Sequence, residues 1–172
     1  MRRATTFFMV TALMLPIAAL SARAVNDAQI AAIVVTANQV DIDAGKLAET
    51  SATDPQVKAF GKQMVTDHTG VNKQATELVT KLGVTPEDNA TAQSLKSGGA
   101  DNVKTLSGLK GAAFDRAYIE HEVAYHQQVL DALDKTLIPG AQNTELKALL
   151  VKVRPAFVAH LEHAKMVQKS LK

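Results

Sequence analysis

The sequence predicts an all-α fold: an up-down four-helix bundle with a longer, irregular or short-helix connection between helices 2 and 3. Three observations carry this reading. Apolar residues recur in alternating steps of three and four along four long stretches. N-capping residues and helix-stopping Gly and Pro residues separate those stretches. The apolar share is 47% of 172 residues, yet aromatics are only 4% and Trp is absent. Such Ala-, Val- and Leu-rich content suits packed helices better than a β-sandwich. The length fits a single domain, expected over residues 26–172.

Residues 1–24 read as a secretory signal peptide. Arg2-Arg3 forms a charged start, Phe7 to Leu20 is an apolar run interrupted by Pro16, and Ala22-Arg23-Ala24 has the small-x-small form of a cleavage site. Cleavage is expected between Ala24 and Val25. The apolar run is short for a bilayer span, and no second span follows. The mature body is then expected to be exported without an integral membrane span. In a diderm bacterium it would be periplasmic.

The first helix is expected from Asn26 or Asp27 to about Ala52, with Ile30, Ile33, Ala37, Val40, Ala44 and Leu47 on its apolar face. Asp54-Pro55 is an N-cap followed by proline at the first helical position, so a second helix starts there. It carries Val57, Phe60, Met64, Val71, Ala75, Leu78 and Leu82, and Gly83 stops it. Residues 84–110 are less regular. Thr85-Pro86 is read as capping a short helix to Leu95, Gly98-Gly99 as a break, and Asp101 to Leu106 as a second short segment. The third helix is expected from near Gly111 to just before Pro139-Gly140, with a stripe of Ala112, Ile119, Val123, Leu130, Leu133 and Leu137. The fourth starts after Asn143 and runs to the C-terminus with Pro155 inside it, where a lost backbone bond predicts a bend.

Charge and composition exclude several functions. The 19 basic and 17 acidic residues leave a formal charge of +2, but three of the arginines lie in the leader, so the body is near neutral. Nucleic-acid binding needs a clustered positive surface and is not expected. Absence of cysteine removes disulfides, thiolate metal sites and thiol catalysis. No glycine-rich phosphate loop, nucleophile elbow or His-Glu-x-x-His motif occurs.

The histidines are the informative residues. His68 lies between Met64 and Val71, His126 between Val123 and Leu130, and His160 on the face of Val153, Phe157 and Ala164. Three helices thus each turn one histidine inward. They stand about 14, about 15 and about 17 residues into their helices, which puts them at one height in a bundle rising about 1.5 Å per residue. Asp41 lies near the midpoint of the first helix, with Asn38 and Asp43 as substitutes. Three imidazoles and a carboxylate suit a Zn, Cu, Ni or Fe ion. The competing reading is a metal-free buried polar layer in which the histidines satisfy one another and Tyr118, Tyr125 or Glu122 adds hydrogen bonds.

Glu122 lies one turn before His126. It reads either as a carboxylate holding a ligand histidine in one tautomer or as an ordinary i,i+4 pair. His163, one turn from His160, stays uncertain as a ligand. His121 is left out.

Asp67-His68-Thr69 after VKAFGKQMVT, Phe114-Asp115-Arg116-Ala117-Tyr118-Ile119, His126, Pro155 and His160-Leu161-Glu162-His163-Ala164, in that order, resemble the domain of unknown function 4142 family over about residues 26–170. The resemblance implies a ferritin-like bundle and maps the family pattern onto His68, Tyr118, His126, Pro155 and His160. That family is often labelled a predicted outer membrane protein. Here no lipid-attachable cysteine and no barrel alternation support the label, which leaves peripheral association. A ferritin-type di-iron site needs paired Glu-x-x-His motifs, and the sequence has none.

Three functional readings follow. The first is an exported bundle that holds a transition metal in metal handling or envelope stress. The second is a structural or partner-binding envelope protein with a metal-free polar layer. The third, a ferritin-like oxidase, is the weakest. Neither the protein partners nor the choice between monomer and homo-oligomer follows from the sequence.

Overall fold

The computed structural model describes residues 25–171, so the expected leader over residues 1–24 lies outside the described residues. The described chain is all-helical, with five long helices and no strand. The elements are α1 (Asp27–Ser51), α2 (Pro55–Lys81), α3 (Ala90–Ser107), α4 (Gly111–Ala132), a π-helical turn (Leu133–Leu137), α5 (Ile138–Gly140) and α6 (Thr144–Ser170).

The helix starts follow the capping chemistry of the sequence. Asn26 and Gln29 form a capping box at α1, Asp54 caps α2 ahead of Pro55, and Asn143 caps α6. Gly83 adopts φ of 63° just past α2, a conformation that glycine reaches without a Cβ penalty. Carboxylates tie both ends of the molecule together. Asp115 accepts from the backbone of Thr53 and Asp54 at the α1–α2 turn, and Asp27 accepts from the backbone of Gln142 and Asn143.

Three expectations need correction. Residues 84–110 do not hold two short segments: α3 is one 18-residue helix that starts at Ala90 under an Asn89 cap and runs through Gly98-Gly99. Gly99 is there for a close approach rather than a break. A Cβ on it would lie 2.6 Å from a methyl of Val40 on α1. The third helix does not stop before Pro139. Its backbone widens into a π turn, with the Ile138 N–H bonding to Leu133 O, and continues through Pro139 to Gly140. The turn holds Leu133 and Leu137 buried together ahead of the proline. Ala112 is exposed, and the inner face of α4 is instead Phe114, Tyr118, Ile119, Glu122, Tyr125, His126, Val129 and Leu130.

α1 packs antiparallel against α2, most tightly at Gly45 and Gly61. A Cβ on Gly45 would meet Gly61 O at 2.8 Å, and one on Gly61 would meet Ala48 Cβ at 2.8 Å. α4 packs on α6, α2 on α6, and α3 lies along α1 and reaches α4. α6 runs unbroken through Pro155. The apolar core comes in two parts. One gathers Ile30, Ile33, Leu130, Leu133, Leu146 and Leu150, the other Ala48, Phe60, Met64, Phe114, Ile119 and Val167. Between them lies a buried polar layer.

Candidate metal centre

α1, α2, α4 and α6 each contribute inward polar side chains to this layer. Asn38 and Asp41 come from α1, His68 from α2, Glu122 and His126 from α4, and His160 from α6; each is no more than 2% exposed. Tyr118, two turns before His126 on the same face of α4, is also fully buried. One ligand nitrogen from each of His68, His126 and His160 lies within 4.8 Å of the other two. Asp41, Glu122 and His126 form a second group by the same measure, so His126 belongs to both. The rings of Phe157 and Phe60 flank the histidines, with centroids 5.1 Å from His68 and 6.5 Å from His126 respectively.

The outer nitrogen of every histidine is anchored, and the anchors set the tautomers. Asn38 donates its amide to Val34 O at 2.8 Å, so its oxygen faces His68 and accepts from Nδ1–H at 2.7 Å. His126 Nδ1–H donates to the carbonyl of Glu122 at 3.0 Å. His160 Nε2–H donates to Asp67 at 2.9 Å. Each neutral ring has one proton to give, so the lone pair is left on His68 Nε2, His126 Nε2 and His160 Nδ1. All three of those atoms are buried without a hydrogen-bond partner.

The oxygens behave in the same way. Asp41 Oδ2, both oxygens of Glu122 and the Tyr118 hydroxyl are buried and unpartnered. Of ten such atoms among the described residues, seven belong to this layer. Leaving one buried polar group unsatisfied costs about 1–3 kcal/mol, so this concentration in one place calls for a ligand. His68 Nε2 and Asp41 Oδ2 lie 3.3 Å apart, close enough for a proton or a cation to bridge them.

Burial dominates the electrostatics. It pushes Glu122 up to about 8, an effect partly offset by the neighbouring Asp41 and Tyr118. Those neighbours lie close to the carboxyl without offering either oxygen a well-aligned hydrogen bond. Burial, then the Glu122 carboxyl, hold Asp41 well above the usual carboxylate range. Burial, then His126 and His160, push His68 well below the usual imidazole range. His160 is lowered mainly by burial, against the raising effect of its bond to Asp67. His68 and His160 are thus kept neutral, as ligands must be, while Asp41 and Glu122 stay protonated until a cation offsets their charge.

The structure brings together His68, His126, His160, Asp41, Glu122 and Tyr118. His163 is not in either group: its Nδ1 bonds Gln63 at 2.9 Å and its ring packs edge-on against Phe60. Asp43 is exposed and bonds Gln39. Tyr125 gives its hydroxyl to Ala37 O, outside the histidine cluster. His121 stacks on Tyr125. Glu122 is not an exposed i,i+4 partner: its backbone carbonyl accepts from His126 Nδ1–H, and its fully buried carboxyl Oε2 lies 3.4 Å from the same nitrogen. Sequence reasoning missed Asn38 and Asp67 as histidine anchors. Their signal was present: Asn38 lies one turn before Asp41, and Asp67 directly precedes His68.

The family described as Domain of unknown function (DUF4142) matches residues 13–167. No curated protein and no solved structure matches the chain.

Proposed function

The chain belongs to this family of unknown function, and we propose from the site itself that the protein binds a divalent transition-metal ion, Zn, Cu, Ni or Fe, in its buried layer. His68 Nε2, His126 Nε2 and His160 Nδ1 are the nitrogen ligands. Asp41 supplies an oxygen, and Glu122, which the sequence placed beside a ligand histidine rather than on the ion, joins it as a ligand. The observation that carries this reading is the set of three buried imidazole nitrogens, each freed by an anchored partner nitrogen and none satisfied by a neighbour. A structural polar layer would pair these groups with one another, and here the inner atoms stay unpaired. A divalent cation also balances two buried carboxylates, whose charges are otherwise costly to keep. Oxygen and nitrogen donors with no thiolate suit first-row divalent ions.

The same reading includes a ferritin-like up-down bundle of α1, α2, α4 and α6, with α3 laid alongside. It also includes export through the leader to a periplasmic location, free or peripheral to the outer membrane. Among the described residues no helix is long and apolar enough to cross a membrane. The role is metal handling or envelope stress protection by binding, and the missing Glu-x-x-His pairs weigh against an oxidase.

Elemental analysis of untagged protein, followed by thermal shift with each ion, tests the proposal. An ion at a hundred times its Kd should stabilise the fold by about 2.7 kcal/mol. His68→Ala, His126→Ala and His160→Ala should each remove most of that gain, and His121→Ala should keep it. If no ion raises the parent's midpoint, or if His121→Ala removes the response as fully as His68→Ala, the site is wrong.

A further inference from the structure

A buried site needs a route for its ion, and three sides of this one are closed to a hydrated cation. The α1–α2 contact is shut by the Gly45–Gly61 approach. The α1–α4 side carries α3. On the remaining side α4 packs directly on α6, and the cavity of about 90 Å³ beside Asn38, walled mainly by α1, α3, α4 and α6, is mostly apolar, with Val34, Leu95, Val129, Leu133 and Phe157 in its lining. Moving a charge through such a lining is costly.

The α2–α6 seam is different. It is stitched by polar pairs along its length: Gln56 with Ser170, Gln63 with His163, Asp67 with His160, Gln74 with Lys152 and Lys81 with Glu145. In its middle, a continuous chain of groups runs from the buried layer outward. His160 Nε2–H donates to Asp67 Oδ2, Gln63 donates its amide to the same oxygen at 3.3 Å, and Gln63 Oε1 accepts from His163 Nδ1–H. His163 therefore keeps a lone pair on Nε2. The His160 side chain is 3% exposed and that of Asp67 is 40% exposed. Asp67 thus touches both the ligand histidine and solvent.

Resting on the metal-binding reading above, we propose that the ion enters and leaves through the α2–α6 seam, with Asp67 and His163 as transient outer ligands that hand it to His160. A carboxylate and an imidazole nitrogen replace part of the hydration shell before the ion reaches the inner nitrogens. The negative charge of Asp67 also raises the local cation concentration at the mouth.

Co²⁺ loading of metal-free protein, followed by stopped-flow absorption in the d–d region, tests this. Release into excess EDTA and the equilibrium Kd are measured alongside. His163→Phe keeps the packing against Phe60 and removes the nitrogens. Asp67→Asn keeps an acceptor for His160 and removes the charge. Both should load and release Co²⁺ about tenfold more slowly than the parent, the lower end of what charged clefts do for on-rates. The Kd of His163→Phe should stay within about threefold, short of the roughly 10- to 100-fold loss that follows removal of a ligand-orienting group. Leu133→Phe, which narrows the apolar cavity, should load at the parental rate. Parental rates in both seam variants, or slowed loading in Leu133→Phe, overturn the route and leave the site standing. A parent that develops no Co²⁺ bands removes the metal reading and the route together.

Discussion

Replacing Glu122 by Gln should stabilise the metal-free protein at high pH and weaken the metal-bound one. The side chain is fully buried, neither of its oxygens is partnered, and its carboxyl is pushed up to about 8 from an ordinary 4.5. Below the unfolded value the carboxyl is protonated in both states and adds no pH dependence. Between 4.5 and about 8 the unfolded chain ionises while the folded chain keeps its proton, so unfolding releases a proton and stability falls as pH rises. At 1.36 kcal/mol per pH unit, the full rise amounts to about 5 kcal/mol, a large part of a typical domain's stability. Gln has the shape of the protonated acid and no ionisation to penalise. Near pH about 5 the two chelated proteins should therefore unfold at similar urea concentrations. Near pH about 9 the variant should be more stable by about 5 kcal/mol, or about 2.5 M urea for a slope of about 2 kcal/mol/M. Saturating metal should reverse the order, because the parent then uses the carboxylate as a ligand. If chelated Glu122→Gln is no more stable than the parent near pH about 9, the carboxyl is not held in the desolvated setting described.

Three further outcomes are expected. Metal affinity should fall at least about tenfold per pH unit below about 8, as the raised Glu122 and Asp41 carboxyls must lose their protons to bind, whereas neutral histidines alone would hold affinity to about pH 6 or lower; chelator competition across that range separates the two. Gly61→Ala should cost about 1–3 kcal/mol in chemical denaturation, since its Cβ would meet Ala48 and the backbone of Gly45, and should weaken metal binding by parting Asp41 from His68. Mass spectrometry of the exported protein should find Val25 at the N-terminus, and an intact Met1 in the membrane fraction would refute cleavage after Ala24.

The parts of the site legible in the sequence are those that one helix's period decides. His68, His126, His160 and Asp41 stand on apolar stripes, and a stripe points inward whatever it packs against. Glu122 stands on the same inner face of α4, but its spacing from His126 imitates a solvent pair, and only burial tells the two apart. Asn38 and Asp67 act across helix interfaces, so their roles depend on crossings that no single stripe encodes. The fold divides in the same way. Caps at Asn26, Asp54 and Asn143 are local chemistry and read directly. Gly99 looks like a breaker because the reason for it, the methyls of Val40, lies on another helix. Pro139 looks like a terminus because a π turn is a rare accommodation.

The division of the apolar core by the polar layer bears on how the molecule opens. Hydrophobic clusters that touch along their whole length tend to exchange their amide hydrogens as one unit, whereas clusters held apart can do so separately. In this chain the half around Leu130 and Leu150 and the half around Phe60 and Phe114 meet through imidazoles and carboxyls whose inner atoms have no partners. The helices that cross the layer are continuous, so the halves share a backbone, but their side chains give each other little cohesion at that level. Amide protection in the chelated protein should therefore fall into two tiers, one for each half. An ion gripping α1, α2, α4 and α6 at that level would merge the tiers, acting as a rivet between two half-cores and turning a molecule that loosens from either end into one that opens all at once.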